Sequence, residues 1–320
     1  MKKISKYMKK FTNESMYEII NHFEKSLKHN QILSIEVLNP DLGIDNYSGF
    51  ILSLDQSYIY RSYKAWTDLA ELMFCKMLTP IIISENTVCL KFKKLDTNNS
   101  FHNSLNDKEN ETYGPESDFS KINKNEEPAF VFPYTKALIH TKVYEKKQIL
   151  NLGVNKADEF EIIKNIVYPE VFEKINFVGI DYSKSAINEA KQKFPNKNFE
   201  FFSHDINKLD ELNLKKADLI ISIGTLQSTS IDFKLVFMSL IQNYLEEGGS
   251  IILGFPNCRW IEADMIYGAK NPTYSYSEQS LLYKDVYFCK KYLQQKKFKV
   301  TLTGKNYLFL TATCIKKNPK

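Results

Sequence analysis

The sequence predicts an α/β protein: a doubly wound, mostly parallel seven-stranded sheet with a C-terminal antiparallel hairpin, plus a smaller N-terminal α+β lobe. Three observations predict it. From Ala129 onward, apolar strand-like runs alternate strictly with helical segments, the pattern of βαβ units joined by right-handed crossovers. The last two apolar runs stand back to back across Gly304-Lys305-Asn306, a tight turn. Between the two parts lies a polar stretch, 96–128, longer and poorer in aliphatic residues than an ordinary loop.

The N-terminal lobe (1–95) begins with a helix over 14–29, where Met16, Ile19, Ile20, Phe23 and Leu27 share one side. "ILSIEVL" (32–38) and "SGFILSL" (48–54) read as strands on either side of a turn-rich segment. A helix follows over 62–78, stopped by Thr79-Pro80, and then an alternating strand over 87–95. The polar stretch reads as a linker or mobile connection, with Phe101, His102 and Tyr113 as possible substrate contacts. In the C-terminal part (129–320), strands at 149–152, 176–181, 199–205, 217–224 and 250–255 alternate with helices at 158–167, 183–194 and 232–247. The last of these helices ends at Gly248-Gly249, and a helix at 284–296 precedes the hairpin.

At 320 residues, 43% hydrophobic and 25% charged, the composition is that of a soluble globular chain, with no apolar run long enough to span a membrane. The basic start "MKKISKYMKKF" lacks the apolar core of a signal peptide, so a cytoplasmic location is expected. Five scattered cysteines without a C-x-x-C pair argue against a zinc site or a disulfide framework. The net charge of +5 is concentrated at the end: residues 284–320 hold ten lysines and one acid, Asp285. Such a segment offers RNA a surface, although a lysine-rich composition gives the same count without any partner.

Five segments in order resemble class I S-adenosylmethionine-dependent methyltransferases over about 170 to 190 residues, from near Tyr134 to Ile315. "ILNLGVNKADEF" stands where that family has its glycine-rich loop, and "FVGIDYSKSAINEAK" resembles its second strand, ended by an acid. "FFSHDI", "ADLIISIGTLQS" and "YLEEGGSIILGF" are similar to the segments of strands three to five. The resemblance implies S-adenosyl-L-methionine as cofactor. It also implies cofactor contacts at Gly153, Asn155, Asp181, Tyr182, Asp205, Ile206, Gly224 and Thr225. In this loop Gly153 permits a tight turn, Asn155 is a residue type that tolerates a left-handed backbone, and Ala157 is small enough for close packing. Asp181, 28 positions after Gly153, is suited to the ribose hydroxyls, and Asp205 with Ile206 to the adenine. The family tends to carry an acid near the cofactor's ammonium group at the position of Asn151; here Asp158 and Glu159 lie just downstream.

The expected activity is methyl transfer by in-line displacement, which needs alignment and exclusion of water more than a protein base. The Asn-Pro-Pro-Tyr signature of DNA base-amine methylation is absent after strand four, where "IGTLQSTS" stands. Acceptor contacts are expected from Gln227, Asn257, Arg259, Glu262 and Tyr267, on or beside the aromatic insertion 256–280. The acceptor class stays open among small molecule, RNA and protein. His140 and His204 read as packing or surface residues. The alternative is a methyltransferase-like binding or scaffold module without catalysis. A nicotinamide-dependent oxidoreductase would need G-x-G-x-x-G where this chain has G-V-N-K-A-D.

Overall fold

The computed structural model describes residues 8–97, 121–268 and 278–315. Phe101, His102 and Tyr113, and most of the polar stretch, lie outside the described residues. The chain divides into two compact units: Met1–Ser100 with Trp260–Ile266, and Phe101–Arg259 with Tyr267–Lys320.

The first unit holds β1 (Lys9–Lys10), α1 (Met16–Ser26), β2 (Ile32–Leu38), β3 (Ile51–Ser53), β4 (Ser57–Ile59), α2 (Tyr63–Leu72), β5 (Cys75–Ile82) and β6 (Thr87–Lys94). Ser15 caps α1 in a reciprocal box with Glu18, which satisfies backbone donors at the helix start. The apolar stripe of α1 (Ile19, Phe23) packs with Trp66 and Leu69 of α2 against Ile35, Leu90 and Phe92 of a four-stranded sheet ordered β1-β2-β6-β5. The helix expected over 62–78 stops at Leu72, because Phe74 takes a left-handed φ of 51° and turns the chain into β5. Pro80 therefore ends no helix. It sits at an irregularity of edge strand β5, where its missing N–H costs no ladder bond.

Residues 260–266 belong to this unit through specific contacts. Lys76 Nζ pairs with Asp264 at 2.9 Å, and Lys93 Nζ with Glu262 at 3.0 Å. Ile261 and Ile266 pack with Leu95 and Phe74.

The second unit runs α3 (Pro128–His140), β7 (Gln148–Leu152), α4 (Asp158–Ile166), α5 (Pro169–Phe172), β8 (Asn176–Asp181), α6 (Lys184–Lys193), β9 (Phe199–Ser203), β10 (Ala217–Ile223), α7 (Phe233–Ser239), β11 (Leu245–Pro256), α8 (Ser280–Gln295), β14 (Phe298–Thr303) and β15 (Tyr307–Cys314). The short strands β12 (Cys258–Ile261) and β13 (Asp264–Tyr267) form a separate pair between β11 and α8. The sheet order is β14-β15-β11-β10-β7-β8-β9, as the alternation of elements predicts. Only β15 runs against its neighbours β11 and β14. Its strands are apolar on both faces because helices cover both, so Ile149, Leu150, Leu152, Ile220 and Ile221 are all buried. Phe160, Phe172, Phe177, Phe194, Phe199 and Phe201 form a ring cluster over β8 and β9, with Phe177 and Phe199 stacked at 4.6 Å.

One boundary in this unit differs from the expectation. The helix expected over 232–247 is α7 followed by a π-helical turn, Leu240–Tyr244, and Gly248-Gly249 lies inside β11. Ala217 pairs with Leu245 but Leu219 with Ser250, so the glycines bulge out of the ladder, Gly248 at a φ of 79°. Helix α3 lies where no element is expected from the sequence. Pro128 occupies its first turn, where no N–H is needed, and Pro133 its interior.

Candidate functional site

The strand order fixes where a site can form. From β7 the chain crosses to β8 and β9 on one side, then returns to β10 and β11 on the other. The crossovers diverge between β7 and β10, which leaves a crevice at the carboxyl ends of those two strands. Gly153 follows β7 and Gly224-Thr225 follows β10, so both sequence-predicted loops meet there.

The loop after β7 is held in an unusual backbone. Gly153 (72°), Asn155 (46°) and Ala157 (63°) all have positive φ. Gly153 and Val154 N–H groups donate to the Ile180 carbonyl at 2.8 and 3.1 Å. The Asn155 N–H donates to Asp181 Oδ2 at 2.9 Å, and the Lys156 N–H to the Asn155 side-chain oxygen. Ala157, at the third glycine position, is the residue before α4 and carries its methyl in the left-handed region, which costs about 1–2 kcal/mol. The approach at Gly153 is closer still: a Cβ there would lie 1.8 Å from Thr225 Oγ1 and 2.6 Å from Thr225 Cβ.

Asp181 ends β8 half-buried, with Oδ2 on the Asn155 N–H and Oδ1 on the Ser183 N–H, both at 2.9 Å. Burial pushes its carboxyl above the usual range, against the pull of those two donors. Ser183 caps α6 through the Ala186 N–H, which leaves Asp181 free of the capping role. Tyr182 beside it is exposed. Asp205 Oδ1 receives Asn207 N–H and Nδ2 at 2.9 and 3.0 Å, and Ile206 is buried in the core. His204 is tied through Nε2 to the Lys208 carbonyl at 2.9 Å, and His140 ends α3.

The acceptor-side candidates divide. Gln227 Oε1 and Asn257 Oδ1 are buried atoms without a hydrogen-bond partner among the described residues. Asn257 is otherwise bound into the hairpin turn, its N–H on Asn306 O and its Nδ2 on Lys305 O. Burial lowers the Arg259 guanidinium from its usual range. Tyr267 OH accepts from Gln279 Nε2 at 2.7 Å. Glu262 is not brought to this set. It belongs to the first unit, where Lys93 and the Asp96 N–H engage its carboxylate.

Behind the loop, Asn151 and Glu159, both noted in the sequence, are joined by Lys124, which is not. Glu159, in the first turn of α4 and 1% exposed, approaches Asn151 Nδ2 at 3.4 Å and pairs with Lys124 Nζ at 2.5 Å. Asn151 Oδ1 and the Tyr134 hydroxyl are buried without a partner among the described residues. Asp158 is used differently, by Lys193 at 2.9 Å. Glu159 is marked in the sequence by its place after the loop, but Lys124 gives no local signal. Burial pushes the Cys75 thiol up to about 11 and the Cys258 thiol to about 12, so neither is a ready thiolate.

The family described as "Methyltransferase domain" matches residues 145–305, which contain every strand from β7 to β14. The chain belongs to that family. Three solved structures illustrate what this methyltransferase domain is similar to. N-methyltransferase NodS from Bradyrhizobium japonicum WM9, solved with S-adenosyl-L-homocysteine, is 13% identical with a TM-score of 0.41, covering 59% of this chain and 89% of that one. Magnesium protoporphyrin IX methyltransferase from Synechocystis PCC 6803, with bound SAM, is 15% identical with a TM-score of 0.37, covering 58% and 78%. Ribosomal protein L11 methylase from Lactobacillus delbrueckii subsp. bulgaricus is 10% identical with a TM-score of 0.38, covering 57% and 78%. No curated protein sequence matches the chain. Among the described residues no helix is long and apolar enough to cross a membrane. Among the same residues no three His, Cys, Asp or Glu side chains are grouped to hold a metal.

Proposed function

We propose that the second unit is an S-adenosylmethionine-dependent methyltransferase that moves a methyl group to an acceptor nucleophile by in-line displacement. The observation that carries this reading is the loop after β7, which keeps three left-handed residues although two of its glycines are replaced. Strained backbone of this kind persists where the surrounding structure holds it, and it clusters at ligand sites. The cradle also fits the cofactor in detail. Gly153 has no room for a Cβ beneath Thr225, Asp181 is a carboxylate at the end of β8, and buried polar atoms wait unpaired on Asn151 and Tyr134.

When bound, S-adenosylmethionine supplies an electrophilic methyl group on a positively charged sulfur. Asp181 would hold the ribose hydroxyls through its remaining lone pairs, since each oxygen already accepts one backbone N–H. Asp205 and Ile206 would flank the adenine, one polar and one apolar. Gly153 and Thr225 would set the position of the sulfur by close contact. Gln227, Asn257, Arg259 and Tyr267 would orient the acceptor and exclude water, which is most of what the reaction asks of a protein.

RNA, a small molecule and a protein are the acceptor classes to try. RNA has a surface to meet in the groove lined by Lys234, Lys284 and Lys291.

Thermal unfolding with S-adenosyl-L-homocysteine tests the reading without an acceptor. At a ligand concentration 100-fold above Kd the domain gains about 2.7 kcal/mol, a rise in midpoint of roughly 5–11 °C. An unchanged midpoint at millimolar ligand would favour the scaffold module instead.

A further inference from the structure

Helices α7 and α8 pack side by side through Phe233 and Phe237 of the first and Phe288 and Tyr292 of the second, with ring centres 5.6 to 6.1 Å apart. An open groove runs over this contact, lined by Lys234, Lys284, Tyr287 and Lys291, with Asp285 as the one acid among the described residues that line it. The three lysines are exposed, and among the described residues none of them forms an ion pair. Elsewhere Lys76, Lys93 and Lys193 each hold a carboxylate at 2.9 to 3.0 Å. Asp285 is near enough to Lys284 and Lys234 for both to pull its carboxyl down against the effect of burial. Three cations against one acid still leave the groove positive.

Aromatic faces are interleaved with these charges. Tyr287 is 64% exposed between Lys284 and Lys291. Lys234 Nζ stands 5.3 Å from the Phe288 ring centre, and Gln242 Nε2 donates to the Tyr292 hydroxyl at 2.7 Å, so both ends of the row are held. The groove is shallow, about 250 Å³, below the roughly 300–1,000 Å³ of a site that encloses a small ligand. It is long instead. From Lys284 to Gln295 helix α8 rises about 16 Å, room for several nucleotides at about 3.4 Å per stacked base. Its direction is set by the sheet. Strands β11 and β14 both run against β15, and α8 ends just before β14 begins, so α8 points away from the carboxyl ends of the parallel strands. Lys284 therefore marks the end of the groove nearer the crevice, and Gln295 the far end.

We infer that this groove docks single-stranded RNA, with Lys234, Lys284 and Lys291 on its phosphates and Tyr287 against a base, and leads the strand along α8 toward the crevice. Unpaired strands are the form whose base faces are open for stacking on an aromatic ring. A duplex hides those faces, and an acidic polypeptide meets the lysines but brings no planar partner for Tyr287. That the docked RNA is also the methyl acceptor rests on the methyltransferase reading above; the docking itself does not.

Fluorescence anisotropy of the full chain tests it with a labelled single-stranded RNA of about 12 nucleotides, beside the same strand annealed to its complement and a polyglutamate of similar charge. The single strand should bind about tenfold or more tighter than either control. The triple variant Lys234→Gln/Lys284→Gln/Lys291→Gln should bind it about 10- to 100-fold more weakly. It should also flatten the slope of log affinity against log salt by about 2, since each single-strand phosphate contributes about 0.7. Tyr287→Ala should weaken the RNA by about 5- to 100-fold and leave that slope unchanged. All four side chains are exposed, so the unfolding midpoint of each variant should match the parent's. Duplex or polyglutamate bound as tightly as the single strand, or a salt slope that the triple variant leaves intact, would overturn the inference. A parent that binds S-adenosyl-L-homocysteine but no RNA would overturn the docking alone. A parent that binds RNA but no S-adenosyl-L-homocysteine would overturn the cofactor reading and the acceptor role, with the docking left standing.

Discussion

Gly153→Ala is expected to weaken S-adenosyl-L-homocysteine binding by about 100-fold or more and to destabilise the domain by about 2–5 kcal/mol. Two independent costs add. At a φ of 72° an alanine pays about 1–2 kcal/mol for the left-handed region. Its Cβ would also stand 1.8 Å from Thr225 Oγ1, so the loop after β10 must move away from the loop after β7. That movement opens the crevice where both loops meet the ligand. The three nearest atoms to the added methyl all belong to the Thr225 side chain. A Gly153→Ala/Thr225→Gly double variant therefore removes the overlap and keeps the backbone strain. Denaturant unfolding and calorimetry on the cycle should show partial recovery of both properties. Simple additivity of the two changes would place the cost wholly in the backbone.

Asp181→Asn is expected to cost about 100-fold in affinity and to remove the acid limb of its pH dependence. A carboxylate offers both oxygens as acceptors, and here each already serves a backbone N–H. An amide of the same shape turns one acceptor into a donor facing an N–H, so it disturbs the loop pin at Asn155 or at Ser183 as well as the ligand. The pH argument follows from the raised carboxyl. Burial lifts Asp181 above its ordinary value of 3.8, so the folded protein holds the proton more tightly than the unfolded chain does. Its contribution to stability is complete below about 3.8 and is lost as pH rises through the folded-state value. Ligand binding has the opposite sign, since the ribose hydroxyls need the ionised form. Affinity should fall as pH is lowered through the raised value, at a higher pH than an unperturbed aspartate would give. In Asp181→Asn that fall is absent. A parallel acid limb in both proteins would assign the titration to another group.

The parts of the fold legible in the sequence are those set by local pattern. The alternation of apolar runs and helices gives the order β7 to β15 because a parallel sheet buries both faces of its strands. The spacing between Gly153 and Asp181 marks the first βαβ unit, and Asn155 announces its own left-handed backbone. Ala157 does not, because alanine has no preference for that region and only the packed loop holds it there. Gly248-Gly249 misled for a related reason: glycine ends helices and also makes bulges, and the ladder between β10 and β11 decides which. The ion pair of Lys124 and Glu159 spans 35 positions and leaves no trace in either neighbourhood. The same holds for Trp260–Ile266, which joins the first unit through partners about 170 to 190 positions away.

The central claim is that this glycine-poor loop still holds a cofactor. Calorimetric titration of the full chain with S-adenosyl-L-homocysteine at neutral pH tests it most directly. The account predicts saturable binding at one site per chain with a micromolar Kd. A well-folded protein that gives no heat of binding at millimolar ligand would contradict it, and the left-handed loop would then be the frame of a scaffold.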